Sequence, residues 1–177
     1  MNEILGVPAH PLFVHLPVVL LPLAMVGVVI MLVRPGSRRS LLVPTALVGL
    51  AGAAGALMAT ISGDWLEDRV RETAAIENHA DLGEMARNFA VAFAVMLIVW
   101  AARELLSSRS SEATGAFGRL LSPAWVGTVA VAGSLLFGTL TTVWIVRAGH
   151  TGAESAWDGK LDGPQAAPVD GEYDEER

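Results

Sequence analysis

The stretch PLFVHLPVVLLPLAMVGVVIMLV, residues 11–33, contains no charged side chain and decides the class of fold. At a rise of about 1.5 Å per residue, a helix of this length covers the roughly 30 Å hydrocarbon core of a bilayer. Three similar stretches follow, so we predict spans at about residues 11–33, 41–62, 80–102 and 120–146. The sequence therefore predicts an all-α integral membrane protein, a four-helix bundle with short loops.

The composition supports an integral membrane protein and indicates where its transmembrane domain ends. Of the 177 residues, 53% are hydrophobic and 17% are charged, whereas about 25% of the residues in a soluble domain are charged. The mean hydropathy is +0.49. We assign residues 1–150 to one transmembrane domain. Residues 151–177 are rich in Gly, Pro, Asp and Glu, which predicts a disordered acidic tail, because such a segment buries too little apolar surface to offset the entropy of ordering.

Arginines predict how the protein is oriented in the cell membrane. Six of them lie in the connections after the first and third predicted spans: Arg34, Arg38, Arg39, Arg103, Arg109 and Arg119. Cytoplasmic loops carry an excess of Lys and Arg. We therefore predict that these two loops are cytoplasmic and that the N-terminus and the C-terminus are both outside.

The absence of cysteine limits the available chemistry. It excludes disulfides, iron–sulfur clusters held by thiolates, and covalent heme attachment. Any heme must therefore be b-type. The basic residues are scattered without interleaved aromatic residues, which argues against nucleic acid as a partner. The predicted surrounding is the lipid bilayer, and the candidate protein partners are a redox protein or a second copy of this chain.

Four histidines carry most of the chemistry that we expect. They are His10, His15, His79 and His150, and the four-span topology places all of them at the outer face. Heme iron needs two imidazoles that face each other from different helices. We predict that His15 and His79 are these ligands, because both should begin buried helical turns. His10 with His150 is an alternative or a second pair.

Two other interpretations of the histidines stay open. The four could instead bind a zinc, iron or copper ion, helped by Asp64, Glu67 or Glu77, since imidazole and carboxylate suit these metals. Alternatively, the histidines bind nothing, and the chain is a non-catalytic membrane subunit or scaffold. Glycine-rich stripes on the second and fourth spans would then pack against partner helices.

The sequence gives little sign of an enzyme or a transporter. Ser62-Gly63-Asp64 is unlike the Gly-x-Ser-x-Gly elbow that exposes a catalytic serine. The deep parts of the four spans carry no charge, whereas proton-coupled transporters usually place ionisable groups there. We therefore do not expect the chain to be an enzyme on its own.

The opening segment resembles a known family signature. His10-Pro11-Leu12-Phe13-Val14-His15-Leu16-Pro17 is similar to the His-Pro-x-x-Val-His-Phe-Pro signature of the DUF2231 membrane family, with Leu16 in place of Phe. Ser62-Gly63, His79 and Gly149-His150-Thr151-Gly152 also fit, so the resemblance covers roughly residues 5–155, although the segment after Gly152 departs from the family pattern. It implies a four-helix membrane protein. Some family members are joined to Rieske or cytochrome c domains, which implies redox partners and favours the heme hypothesis.

Overall fold

The computed structural model describes residues 3–70, 73–107 and 111–157. The elements along the chain are β1 (Glu3–Ile4), β2 (Val7–Pro8), α1 (His10–Phe13), α2 (His15–Val33), α3 (Arg38–Glu67), α4 (Ala74–Ser107), α5 (Ser111–Leu121) and α6 (Ala124–Trp157). A 3₁₀ turn, Pro35–Ser37, connects α2 to α3. Four helical segments are long and apolar enough to cross a membrane, namely α1 with α2, α3, α4 and α6. The predicted all-α, four-span architecture is confirmed.

A small hairpin precedes the first span. Strands β1 and β2 pair antiparallel, with Glu3 opposite Pro8. Leu5 and Gly6 both have positive φ, at 53° and 79°, which is the geometry of the tight turns that join two twisted strands. The short helix α1 follows and leads into α2, with Val14 between them in helical conformation, at φ −63° and ψ −23°. On such a continuous helical path, His10 and His15 are five residues apart and point about 140° apart around the axis.

The spanning helices form a ring. Helix α2 packs against α3 and α6, and α4 packs against the same two helices, so the order around the bundle is α2, α3, α4, α6. Helices α2 and α4 are therefore diagonal to each other. The interior is filled by fully buried side chains, the largest being Phe93, Leu21, Met31, Leu97 and Val28.

The helices extend beyond several predicted boundaries. Helix α3 continues to Glu67, α4 begins at Ala74, and α6 continues to Trp157, past the point where we predicted a tail. Hydropathy marks the hydrocarbon core, whereas a helix continues into the interface, where water reaches polar side chains. The remainder of the predicted tail, residues 158–177, lies outside the described residues.

The connection between the third and fourth spans also differs from the prediction. We expected a loop there, but Ser111–Leu121, which we call α5, is helical on both sides of a kink at Gly115, where φ is 56° and ψ is −150°, and it packs on α4. The predicted fourth span began at Leu120, which belongs to α5. Helix α6 begins at Ala124, directly after Pro123, a residue suited to the beginning of a helix because its ring fixes φ and it has no N–H.

The bundle is built from two similar hairpins, α2–α3 and α4–α6. The buried positions of α2 recur on α4 with the same spacing, as the pairs Pro17/Ala86, Leu21/Ala90, Ala24/Phe93, Val28/Leu97 and Met31/Trp100. Those of α3 recur on α6 as Thr45/Ser134, Gly49/Gly138, Gly52/Thr141 and Ala59/Ala148. Both hairpins begin and end at the same end of the bundle. The fold is thus a parallel internal repeat about an axis along the bundle.

Packing inside each hairpin follows the repeat. A Cβ added to Gly49 would lie 3.7 Å from Ala24 Cβ, and one added to Gly138 would lie 3.0 Å from the Phe93 ring. These two contacts occupy equivalent places, although the side chains differ in size. Glycine at position 138 lets α6 approach α4, whereas the Cβ added to Gly49 would lie 2.6 Å from Leu97 Cδ1, so Gly49 makes room for a side chain of the other hairpin. Small residues let helices in lipid pack closely in this way.

Candidate ligand-binding site

The four histidines lie at one end of the bundle, where α1 and α4 begin and α3 and α6 end. We call this the histidine end. His10 is the first residue of α1, and His79 lies in the first turns of α4. Their half-buried rings meet across the bundle, with centroids 6.1 Å apart and planes at 87°. The two histidines therefore form a pair that bridges the diagonal of the ring of helices.

Each histidine of the pair is anchored to the second helix of its own hairpin. His10 Nδ1 donates to the carbonyl oxygen of Ala59 at 2.7 Å, and His79 Nδ1 donates to that of Ala148 at 2.9 Å. A carbonyl can only accept, so the proton is on Nδ1 in both rings. In the neutral imidazole, Nε2 then carries a free lone pair. The pair thus offers two lone pairs from rings that are fixed in orientation.

The two accepting carbonyls have the same surroundings. Ser62 Oγ shares its proton between the carbonyls of Met58 at 2.7 Å and Ala59 at 3.0 Å. Thr151 Oγ1 likewise lies 3.2 Å from the Arg147 carbonyl and 3.1 Å from the Ala148 carbonyl. The anchor is an Ala-x-x-Ser/Thr-Gly segment that occurs once in each hairpin.

The glycine that closes each of these segments makes room for an imidazole. A Cβ added to Gly63 would lie 3.1 Å from His10 Cε1 and Nδ1, and a Cβ added to Gly152 would lie 2.9 Å from His79 Cε1. Any larger residue would push the ring off the helix. Sequence reasoning noted both glycines only as family matches and missed this role. The Ser-Gly and Thr-Gly steps near the ends of two spans were the available signal.

The other two histidines lie outside the pair. His15 is exposed, and its Nδ1 donates to the Pro11 carbonyl at 2.6 Å within its own segment. His150 is also exposed, with 75% of its side chain accessible and Nε2 3.3 Å from Glu154 Oε1. The predicted pairing of His15 with His79 is therefore not what the structure brings together. The spacing of five residues along a helical path directs His10 over the bundle and leaves His15 on the outside.

Protein ligands for a bare metal ion are too few at this end. Within residues 3–70, 73–107 and 111–157, no three side chains among His, Cys, Asp and Glu come together in a way that could hold a metal ion. The predicted set, four histidines with Asp64, Glu67 or Glu77, therefore does not come together as a metal site among the described residues. A closed zinc site takes four protein ligands, and a catalytic one takes three. What the described residues assemble is a site with two imidazoles.

Fold and site together define a class, a four-span membrane protein made of two parallel hairpins with one histidine from each facing across the axis. The chain belongs to the DUF2231 family, described as "Predicted membrane protein (DUF2231)", and the family model covers residues 6–162. The resemblance that begins at His10 is thereby confirmed. Comparisons with curated proteins and with solved structures found no match.

Proposed function

We propose that His10 and His79 are the two axial ligands of one b-type heme, and that the protein carries electrons at the membrane surface. The observation that carries this proposal is the anchoring of both Nδ1 atoms to carbonyls. Metal-binding histidines almost always donate their second ring N–H to a carbonyl, a carboxylate or water, which fixes the tautomer and the direction of the ligating nitrogen. Here both rings have that arrangement before any ligand is present.

The separation of the rings supports axial ligation. A nitrogen ligand lies about 2 Å from its metal, so two imidazole centres on one ion are at most roughly 6.3 Å apart. The measured separation of 6.1 Å is just inside that limit. This separation of the ring centres suits two nitrogens on opposite sides of an iron better than two nitrogens at the smaller ligand–metal–ligand angle of a tetrahedral ion. Perpendicular ring planes are compatible with this, because axial ligation fixes the direction of each ligating nitrogen but not the angle between the two ring planes.

The number of ligands supports heme over a bare ion. The porphyrin supplies four of the six ligands of the iron, so two histidines complete the set. A zinc site would need further protein ligands that the described residues do not provide. The shortage of protein ligands that disfavours zinc is therefore no obstacle for heme.

The alternative is a non-catalytic membrane subunit in which the pair is only structural. The bonds from His10 to Ala59 and from His79 to Ala148 already connect the two helices of each hairpin. Such bonds would stabilise the fold without any ligand. This alternative predicts a protein that folds fully and stays colourless when heme is plentiful.

The test is to express the full chain with heme supply, purify it in detergent, and record absorbance spectra of the oxidised and reduced forms. We expect a Soret shift and a sharp α band on reduction, with one heme per chain because there is one histidine pair. Elemental analysis of the same sample should find iron at the same ratio. A colourless protein under these conditions would rule out the heme, and bound zinc or copper would then point to the metal alternative.

A further inference from the structure

A groove opens in the second hairpin. The groove lies between α4 and α6 at the histidine end and has a volume of about 400 Å³. Its walls combine apolar side chains with donors of hydrogen bonds: Asn78, Leu82, Val146, Arg147, His150 and Thr151. It opens to the outside of the bundle, where His150 is largely exposed.

The internal repeat shows that the polar lining belongs to one hairpin. His10 corresponds to His79 and Ala59 to Ala148, so the equivalents of Asn78, Arg147 and His150 in the first hairpin are Ala9, Met58 and Ile61. Three of the four polar residues of the groove thus stand where the other hairpin has apolar ones, whereas Thr151 corresponds to Ser62. The buried positions of the two hairpins keep their pattern, so this change of chemistry is local and points to a separate role.

The lining of the groove carries one permanent charge, that of Arg147. The Arg147 guanidinium lies over the Trp144 ring, 5.4 Å from its centroid, and within the described part of the chain it has no carboxylate partner. His150 Nε2 lies 3.3 Å from Glu154 Oε1. Tryptophan and arginine together are typical of the depth of the lipid headgroups. The donors of the groove are therefore at the level of phosphates in the bilayer.

We infer that this groove binds the headgroup of an anionic phospholipid from the surrounding bilayer. The phosphate would lie on Arg147, whose planar guanidinium suits phosphate oxygens, with Asn78 and His150 as further donors. The first part of an acyl chain would lie against Leu82 and Val146. Basic pockets between membrane helices recognise lipid headgroups by this chemistry. The inference does not depend on a ligand at the histidine pair.

The experiment compares lipid binding to the full-length protein by native mass spectrometry, using phosphatidylglycerol and phosphatidylcholine of equal chain length. Both lipids have a phosphate, but phosphatidylcholine also carries a cationic ammonium that Arg147 would repel. Wild type should therefore retain phosphatidylglycerol roughly tenfold better, a difference of about 1.4 kcal/mol. Arg147→Gln should reduce the preference to less than about threefold. His150→Ile, which introduces the residue of the other hairpin, should weaken it to a smaller extent.

Arg69→Gln is the matched control. Arg69 also lies over a tryptophan at the histidine end, 3.8 Å from the Trp65 ring, but outside the groove. The preference should survive this change. Equal retention of the two lipids by wild type would overturn the inference. So would an equal loss in Arg147→Gln and Arg69→Gln, because the preference would then come from surface charge in general.

Discussion

At the scale of single residues, the site depends on a glycine beneath each imidazole. The Ala59 and Ala148 carbonyls fix the rings by hydrogen bonds, each worth about 1 kcal/mol. Gly63 and Gly152 leave the space that these rings occupy. The His10 ring would have to move if residue 63 carried a side chain, and the His79 ring would have to move if residue 152 did.

Gly152→Ala should therefore weaken ligand binding without unfolding the protein. The added Cβ would lie 2.9 Å from His79 Cε1, so the ring must move and its Nε2 with it. We expect the affinity for heme to fall at least tenfold, or about 1.4 kcal/mol, measured by heme titration of the apo-protein. Gly149→Ala on the same helix is the control, since a Cβ there meets nothing within 4 Å. Equal affinities in the two variants would contradict this role.

The sequence alone predicted the residue types of the site but not the pairing. Each span crosses the bundle once, so counting the spans is enough to place His10, His15, His79 and His150 at one end. The pairing depends on which of His10 and His15, about 140° apart around one helix, faces the bundle, and hydropathy gives no signal for this choice. The repeat was also hidden, because His10 and Ala59 are 49 residues apart whereas His79 and Ala148 are 69 apart. The longer connection containing α5 accounts for the difference.

At the scale of helices, close approach within each hairpin depends on small residues of α3 and α6. Gly49 and Gly138 are equivalent, but their neighbours differ in stiffness. A Cβ on Gly138 would lie 2.7 Å from Met25 Sδ and 3.0 Å from the Phe93 ring. Methionine can yield, whereas a buried phenylalanine ring cannot move without disturbing its neighbours.

Gly138→Ala should accordingly lower the thermal stability of the protein in detergent. Overpacking costs about 1–3 kcal/mol, which exceeds the roughly 1 kcal/mol that alanine gains over glycine in a helix. Gly83→Ala on α4 has open space around it and should leave the melting temperature unchanged or raise it slightly. The expectation fails if both variants melt at the same temperature or if Gly138→Ala melts higher.

The four-span fold was predictable at this scale because uncharged stretches must cross the membrane as helices. The lengths of the helices were less predictable, because the run of hydrophobic residues ends at the edge of the hydrocarbon core, whereas the helices continue beyond it. Helix α5 was missed because its sequence, Ser111–Leu121, is polar enough to resemble a loop. It packs on α4 and so is stabilised by contacts that a sequence pattern does not contain.

At the scale of the whole molecule, the histidine pair links the two hairpins. A ligand bound to both rings holds α1 and α4 together across the bundle, so it should stabilise the entire fold. Free heme at 100 times its Kd would add about 2.7 kcal/mol. We expect the holo-protein to melt several degrees above the apo-protein, and we expect this difference to vanish in His10→Ala. An unchanged melting temperature with heme bound would argue against a ligand that bridges the helices.

The orientation of the molecule remains a prediction, with the histidine end outside. The chain has no cysteine, so single substitutions report topology cleanly. Thr73→Cys and Ala153→Cys at the histidine end should react with a membrane-impermeant maleimide on intact cells, and Gly36→Cys at the opposite end should react only after lysis. The reverse pattern would place the histidine end in the cytoplasm and contradict the distribution of arginines.

The central claim is that His10 and His79, and not the other two histidines, hold one heme. The most direct test is the reduced-minus-oxidised spectrum of four single variants, His10→Ala, His79→Ala, His15→Ala and His150→Ala, each purified with heme supply. We predict that the α band is lost in the first two and kept in the last two. A band that survives in His10→Ala, or that disappears in His15→Ala, would contradict the pairing that the two hairpins define.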